Sequence, residues 1–251
     1  IGEVINEYIK AGKIKREHVF ITTKLWSTFH DKVEEGFKKS LDNLNLGYID
    51  LFLCHNPMAF EVSDTGSGGL FPTKADGSLA FKNIPIETSW ADMEKLVAND
   101  KCKSIGVSNY GPKQIERLVQ KAKIKPVTNQ VECHIYYPQN ELYDVCEKQD
   151  IKLTSYATLG SPGRPASFVD DKLPILLQDP VIKKLAEKYK KSPGQILLRQ
   201  MVQRGILVIP KSVNPKRIKE NSEIFDFELI PADVKQIENL NKNLKLLKIE
   251  R

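Results

Sequence analysis

The stretch GILVIPKSVNPKRIKEN, Gly205 to Asn221, decides how the rest of the chain is read. Ile206, Leu207, Val208 and Ile209 form a short apolar, largely β-branched run, the pattern of a strand buried on both faces. Pro210 ends the run, and Lys211 and Ser212 follow at its C-terminal end. Asn214 offers a helix N-cap and Pro215 a first helical residue, with Lys216, Arg217, Lys219, Glu220 and Asn221 filling the first turns. A strand end, a cation, a hydroxyl and fresh helix N–H groups in one short segment suit a phosphate. Arg217 adds a planar fork for phosphate oxygens and a flat face for an aromatic base. The plainer alternative is an ordinary strand followed by a solvated basic helix.

Outward from this stretch, strand-like and helix-like runs alternate along the 251 residues with no break in composition. That pattern predicts a single parallel α/β domain covering residues 1–251. Strands are expected at residues 18–24, 49–55, 103–107, 127–131, 151–157 and 206–209. Between them lie helical patterns, among them Val33, Phe37, Leu41 and Leu44, expected to be capped by Asp31. Ser192, Pro193 and Gln195 read as the capping box of another helix. A last helix is expected near residues 231–242. Segment 56–85 is long for a connection and so reads as functional or mobile.

An open doubly wound sheet and a (β/α)8 barrel share this alternation. The barrel is favoured because polar residues recur at the strand ends: Lys24, His55, Ser108 with Asn109, Gln130, Tyr156, and Lys211 with Ser212. A barrel gathers such ends at one mouth. No GxGxxG opens a helix, which removes the usual dinucleotide fingerprint of the open fold.

Composition narrows the function classes. Hydrophobic residues make up 41% and charged residues 28%, ordinary for a globular chain. Apolar runs are too short for a membrane span. The net charge of +6 is modest and spread along helices beside acidic partners, so no nucleic-acid surface is expected. Cys54, Cys102, Cys133 and Cys146 have no metal-ligand spacing and read as reduced thiols of a cytoplasmic protein. No metal site is expected.

The strand-end pieces TKLW around Lys24, LCHNP around His55, IGVSNY at Ile105–Tyr110, NQVECH at Asn129–His134, SYATLGS at Ser155–Ser161 and IPKSVNPKRIKEN at Ile209–Asn221 resemble the aldo-keto reductase family over nearly the whole chain. The resemblance implies a (β/α)8 barrel, usually monomeric, that reduces aldehydes and ketones with NADPH by direct hydride transfer. It implies that Lys24 is the lysine that lowers a catalytic phenol's pKa and that His55 holds the substrate carbonyl. Taken alone, each would read as a strand-end lysine and a satisfied core histidine. It further implies that Ser108, Asn109 and Gln130 hold the nicotinamide carboxamide, and that Tyr156 stacks on its ring. Leu159 and Ser161 would cover the pyrophosphate, while Lys211, Ser212 and Arg217 would clamp the 2′-phosphate and adenine. Glu220 and Asn221 would bind the adenine edge, and Trp26 would wall the substrate pocket.

The chain departs from the family pattern in several places. Asn56 stands where an aromatic is usual, and Ala157 and Thr158 replace part of the usual SPLGS. The chain ends at Arg251 without a long tail. Ile1 already stands in a helical pattern, so a missing upstream segment is expected. The resemblance places an aspartate, the proton-donating tyrosine and the first two strands on it. Without that tyrosine, chemistry is expected to slow by roughly 100-fold or more. The alternative readings are a cofactor-binding regulatory subunit, or a catalytically dead truncated paralogue.

Overall fold

The computed structural model describes residues 1–62, 69–98, 100–163 and 173–247. By its internal contacts the chain divides into two compact units: Ile1–Asn129 with Gln149–Ile151, and Gln130–Lys148 with Lys152–Arg251.

In the first unit, helix α1 (Gly2–Lys10) precedes strand β1 (Thr22–Leu25), helix α2 (Val33–Leu44) and strand β2 (Ile49–Cys54). A two-stranded antiparallel hairpin, β3 (Ala59–Phe60) and β4 (Phe81–Lys82), occupies part of the long connection. Helix α3 (Ile86–Val97), strand β5 (Cys102–Ser108), helix α4 (Pro112–Val119) and strand β6 (Thr128–Glu132) follow. All six β2 residues are buried, as a run flanked on both sides by parallel neighbours must be. β1 and β5 flank it, with Lys24 paired to Leu53 and Leu53 to Gly106. Gly106 is a packing requirement: a Cβ there would lie 2.7 Å from Leu53 Cδ2 and 2.8 Å from the Thr128 carbonyl oxygen. Helix α2 closes over this layer through Phe37, whose ring meets Phe52 edge-on at 5.2 Å.

β6 runs through the division, Thr128 and Asn129 belonging to the first unit and Gln130 to Glu132 to the second. The second unit continues with α5 (Asn140–Lys148), β7 (Lys152–Tyr156), α6 (Pro180–Tyr189), α7 (Pro193–Gln203), β8 (Leu207–Val208), α8 (Pro215–Ser222) and α9 (Pro231–Glu238). β7 pairs in parallel with β8. The hydrogen-bonding order of the sheet, β1-β2-β5-β6-β7-β8, follows the chain. The second unit's core packs Leu185 and Ile196 of α6 and α7 with Ile237 of α9 and Leu246 beyond it. Among the described residues no helix is long and apolar enough to cross a membrane.

Local signals from the sequence hold. Ser192 and Gln195 form a reciprocal capping box, and Asn214 Oδ1 accepts the Arg217 N–H at 3.2 Å. Four expectations need correction. The expected strand over 206–209 is only Leu207–Val208, with Leu207 55% and Ile209 49% exposed. It is an edge strand bonded to β7, and an apolar run specifies extended backbone without specifying how many neighbours cover it. The strand expected over 18–24 begins at Thr22, because Arg16–His18 forms a 3-10 turn. Asp31 does not cap α2; its carboxylate pairs with Lys82 at 2.6 Å. The last helix stops at Glu238, well short of residue 242.

A partly buried cation stabilises the start of β2. Arg16, 13% exposed at its side chain, donates to the carbonyls of Val19, Leu46 and Tyr48 and to Asp50 Oδ2, and stacks on the Tyr48 ring at 3.7 Å. Asp50 also accepts the Ile21 N–H at 2.9 Å. Arg16→Ala leaves Asp50 only the more distant Lys103 ammonium at 3.6 Å and the Ile21 N–H, frees three carbonyls, and is expected to lower the free energy of urea unfolding by ~2–3 kcal/mol. A loss below about 1 kcal/mol, the range of an exposed ion pair, would contradict this role.

Candidate active site

The first unit assembles its polar groups at the C-terminal ends of β1, β2 and β5. Lys24, next to last in β1, is half-buried, and burial lowers its pKa. Among the described residues it forms no ion pair. His55 is the first residue past β2, and its N–H donates to the Leu25 carbonyl at 3.1 Å. Its pKa falls from 6.5 to about 4, chiefly because burial penalises the imidazolium and secondarily because Lys24 is positive. His55 is therefore neutral near pH 7, with one ring nitrogen a donor and the other an acceptor.

Trp26 stands edge-on to the His55 ring at 4.8 Å and to Phe71 at 5.4 Å. Its Nε1–H donates to the Leu70 carbonyl at 2.7 Å. The loop residues Leu70 and Phe71 were not singled out by the sequence. Their only signal was the length of segment 56–85, because a backbone carbonyl acceptor leaves no mark on residue type.

Ser108 ends β5, buried, and Asn109 follows in the left-handed region at φ 64°, which asparagine tolerates. Asn109 Nδ2 donates to the His55 carbonyl at 2.9 Å and to Asn56 Oδ1 at 3.1 Å. The next carbonyl, that of Asn56, accepts from the Cys54 thiol at 3.3 Å, and Tyr110 Oη donates to Cys54 Sγ at the same distance. The backbone that presents His55 is thus fastened on both sides. Burial pushes the Cys54 thiol up to about 11, so it is no nucleophile. All four cysteines are free and buried.

In the second unit, Gln130 is buried in β6 and Tyr156 ends β7 half-buried. Ala157, Gly160 and Ser161 all take positive φ, coiling the backbone that carries Leu159. Ser155 Oγ donates to the Cys133 carbonyl at 2.6 Å and shares a short hydrogen bond with Thr158. Thr158 is therefore a brace of this turn. Lys211 and Ser212 follow β8. Ser212 Oγ accepts the Asn214 N–H at 3.1 Å, so the hydroxyl helps shape the entry to α8. Lys211 and Arg217 are exposed, and among the described residues neither is in an ion pair. Glu220 lies 3.8 Å from Lys216, and Asn221 is half-buried on the same helix. Two uncompensated cations flanking the N-terminus of an eight-residue helix fit an anionic phosphate.

The model of the aldo/keto reductase family matches residues 2–242. The chain is 44% identical over 249 residues to dihydrodiol dehydrogenase 3 of Bos taurus, covering 98% of this chain and 76% of that protein. It is 45% identical over 250 residues to aldo-keto reductase family 1 member A1 of Gallus gallus, covering 98% and 75%. The solved aldose reductase of Schistosoma japonicum superposes with a TM-score of 0.89 at 36% identity, over 99% of this chain and 77% of that one. The chain belongs to the aldo/keto reductase family, and its fold is the family's (β/α)8 barrel type. It is an oxidoreductase of carbonyl chemistry, in a family that generally uses a nicotinamide cofactor.

Burial also pushes His30 down to about 4. The unfolded chain takes up protons at both His30 and His55 near pH 6.5, while the folded state resists until about pH 4. Stability is therefore expected to fall as pH drops across that window, with a shallower fall for His55→Gln. Urea midpoints measured from pH 7.5 to 4.5 test this; identical slopes for the two proteins would contradict the His55 assignment.

Proposed function

We propose that this protein reduces aldehydes and ketones to alcohols with NADPH, acting as a monomer on small carbonyl compounds in the cytoplasm. The observation that carries the reading is the pairing of a neutral His55 with a half-buried cation, Lys24, whose charge is felt at the ring. A neutral imidazole N–H can donate to a carbonyl oxygen, orient it and stabilise the negative charge that builds there. The Lys24 ammonium adds a positive field at the same strand ends, which would lower the pKa of an acidic proton donor placed beside it. Trp26, held by its bond to Leu70, supplies an apolar wall beside His55.

The cofactor, when bound, supplies the hydride. In the first unit Ser108 and Asn109 would hold its carboxamide, with Asn109 also fixing the His55 backbone. In the second unit Gln130 would share that task and Tyr156 would stack on the nicotinamide ring. Leu159 and Ser161 would lie along the pyrophosphate. Lys211, Ser212 and Arg217 would take the 2′-phosphate, and Glu220 and Asn221 the adenine edge. The four buried free thiols suit a reducing compartment.

Supplied with NADPH and a reactive aromatic aldehyde, the complete protein is expected to consume cofactor, and His55→Gln or Lys24→Met to lower its kcat/KM by roughly 100-fold. Arg217→Ala should weaken NADPH binding by about tenfold and NADH binding by less, because the 2′-phosphate contact is lost only for NADPH. NADPH binding without turnover would overturn the reductase reading in favour of a cofactor-binding regulatory protein. Neither binding nor turnover would overturn both.

A further inference from the structure

The second half of the Asn129–His134 motif, Glu132-Cys133-His134, has no part in the chemistry above, yet it holds a buried carboxylate. Glu132 ends β6 and is 4% exposed. A single oxygen, Oε1, accepts the backbone N–H groups of Leu246 at 2.6 Å and Leu247 at 3.2 Å, and lies 3.1 Å from His134 Nε2. The ring of His134 packs against the same oxygen. Its Nδ1 is buried without a partner among the described residues. Gln139 Nε2 fixes the Glu132 carbonyl at 3.0 Å.

The segment reached by this carboxylate, residues 239–247, forms no helix or strand. Its backbone is ordered by Glu132 and by the Tyr136 carbonyl, which accepts the Lys242 and Leu244 N–H groups at 3.1 and 3.0 Å. Leu246, 1% exposed, is thereby seated in the core cluster beside Leu176. Both leucines lie over Gly160: a Cβ built there would lie 3.2 Å from Leu176 Cδ1 and 3.5 Å from Leu246 Cδ1. Gly160 stands between Leu159 and Ser161, the residues assigned above to the pyrophosphate.

We propose that Glu132 is a positioning residue: its carboxylate latches segment 239–247 onto β6, and through Leu246 the latch holds the turn after β7 in the shape that binds the dinucleotide. The second half of this proposal rests on the NADPH reading. A buried anion satisfied by two adjacent backbone N–H groups from a distant segment fixes that segment's register, which an apolar contact alone does not. Opening the latch leaves local disorder in 239–247 without global unfolding.

The test uses the whole protein with Glu132→Ala, Glu132→Gln and Leu247→Pro, the last removing one of the N–H donors without touching the carboxylate. Three quantities are read: the thermal midpoint, the rate of tryptic cleavage after Lys242 and Lys245, and the NADPH dissociation constant from quenching of tryptophan fluorescence. Glu132→Ala is expected to melt cooperatively, to be cut at least ~10-fold faster at those two lysines, and to bind NADPH about tenfold more weakly. Glu132→Gln, which keeps an acceptor oxygen, should recover most of both, and Leu247→Pro should move both in the direction of Glu132→Ala. A folded Glu132→Ala with wild-type cleavage and wild-type affinity overturns the proposal; faster cleavage with unchanged affinity overturns its second half. Should Glu132→Ala not fold, Leu247→Pro decides by the same two readouts. A wild type that does not bind NADPH defeats the functional reading instead, and cleavage alone then decides the latch.

Discussion

The register of β2 between β1 and β5 is the constraint on which the first unit's chemistry depends. Parallel pairing sets Lys24 beside Leu53 and Leu53 beside Gly106, and the absence of a side chain at Gly106 lets the strands and Thr128 approach. With six consecutive buried residues, β2 has no freedom to slip: a shift by one would exchange its two faces against helix and sheet. His55 is consequently delivered to the end of the strand at a fixed height, its N–H tied to Leu25 and its carbonyl to Asn109. The placement of Lys24 and His55 is thus set by sheet register, and the roles proposed for them need groups that project from the ends of parallel strands.

The same logic applies within the second unit, where β7 and β8 run parallel: β7 ends on Ser155 and Tyr156, and Lys211 and Ser212 come three and four residues after β8. Here the backbone after each strand is shaped by small side-chain bonds: Ser155 to Cys133 and Thr158 after β7, Ser212 and Asn214 after β8. These short polar residues spend their hydrogen bonds on the turns. That leaves the longer side chains, Lys211 and Arg217, as the exposed cations able to meet a ligand.

Much of this was legible in the chain because the signals are local. The capping patterns at Ser192 and Asn214 act over three residues, and both form as read. The run Ile49–Cys54 declares itself by five apolar residues around one aspartate, and in the structure all six are buried, with Asp50 bonded to Arg16 and to the Ile21 N–H. The illegible part is non-local. Asp31 looked like a cap, but its partner Lys82 lies 51 residues away. Glu132 finds Leu246 across 114 residues, a contact that no spacing rule anticipates. The β-branched run at 206–209 told strand from helix, but burial depends on which neighbours flank a strand, and β8 is an edge. The catalytic roles came from resemblance; taken singly, neither Lys24 nor His55 differs from many strand-end residues.

Strand register places the Lys24 charge where the His55 ring feels it. The most direct test of this placement is the His55 titration midpoint, read by NMR in the wild type and in Lys24→Met. The wild type should titrate at about 4. Removing the cation should raise the midpoint only part of the way to 6.5, since burial is the larger cause and remains. A midpoint unchanged by the substitution, or already near 6.5 in the wild type, would contradict this placement.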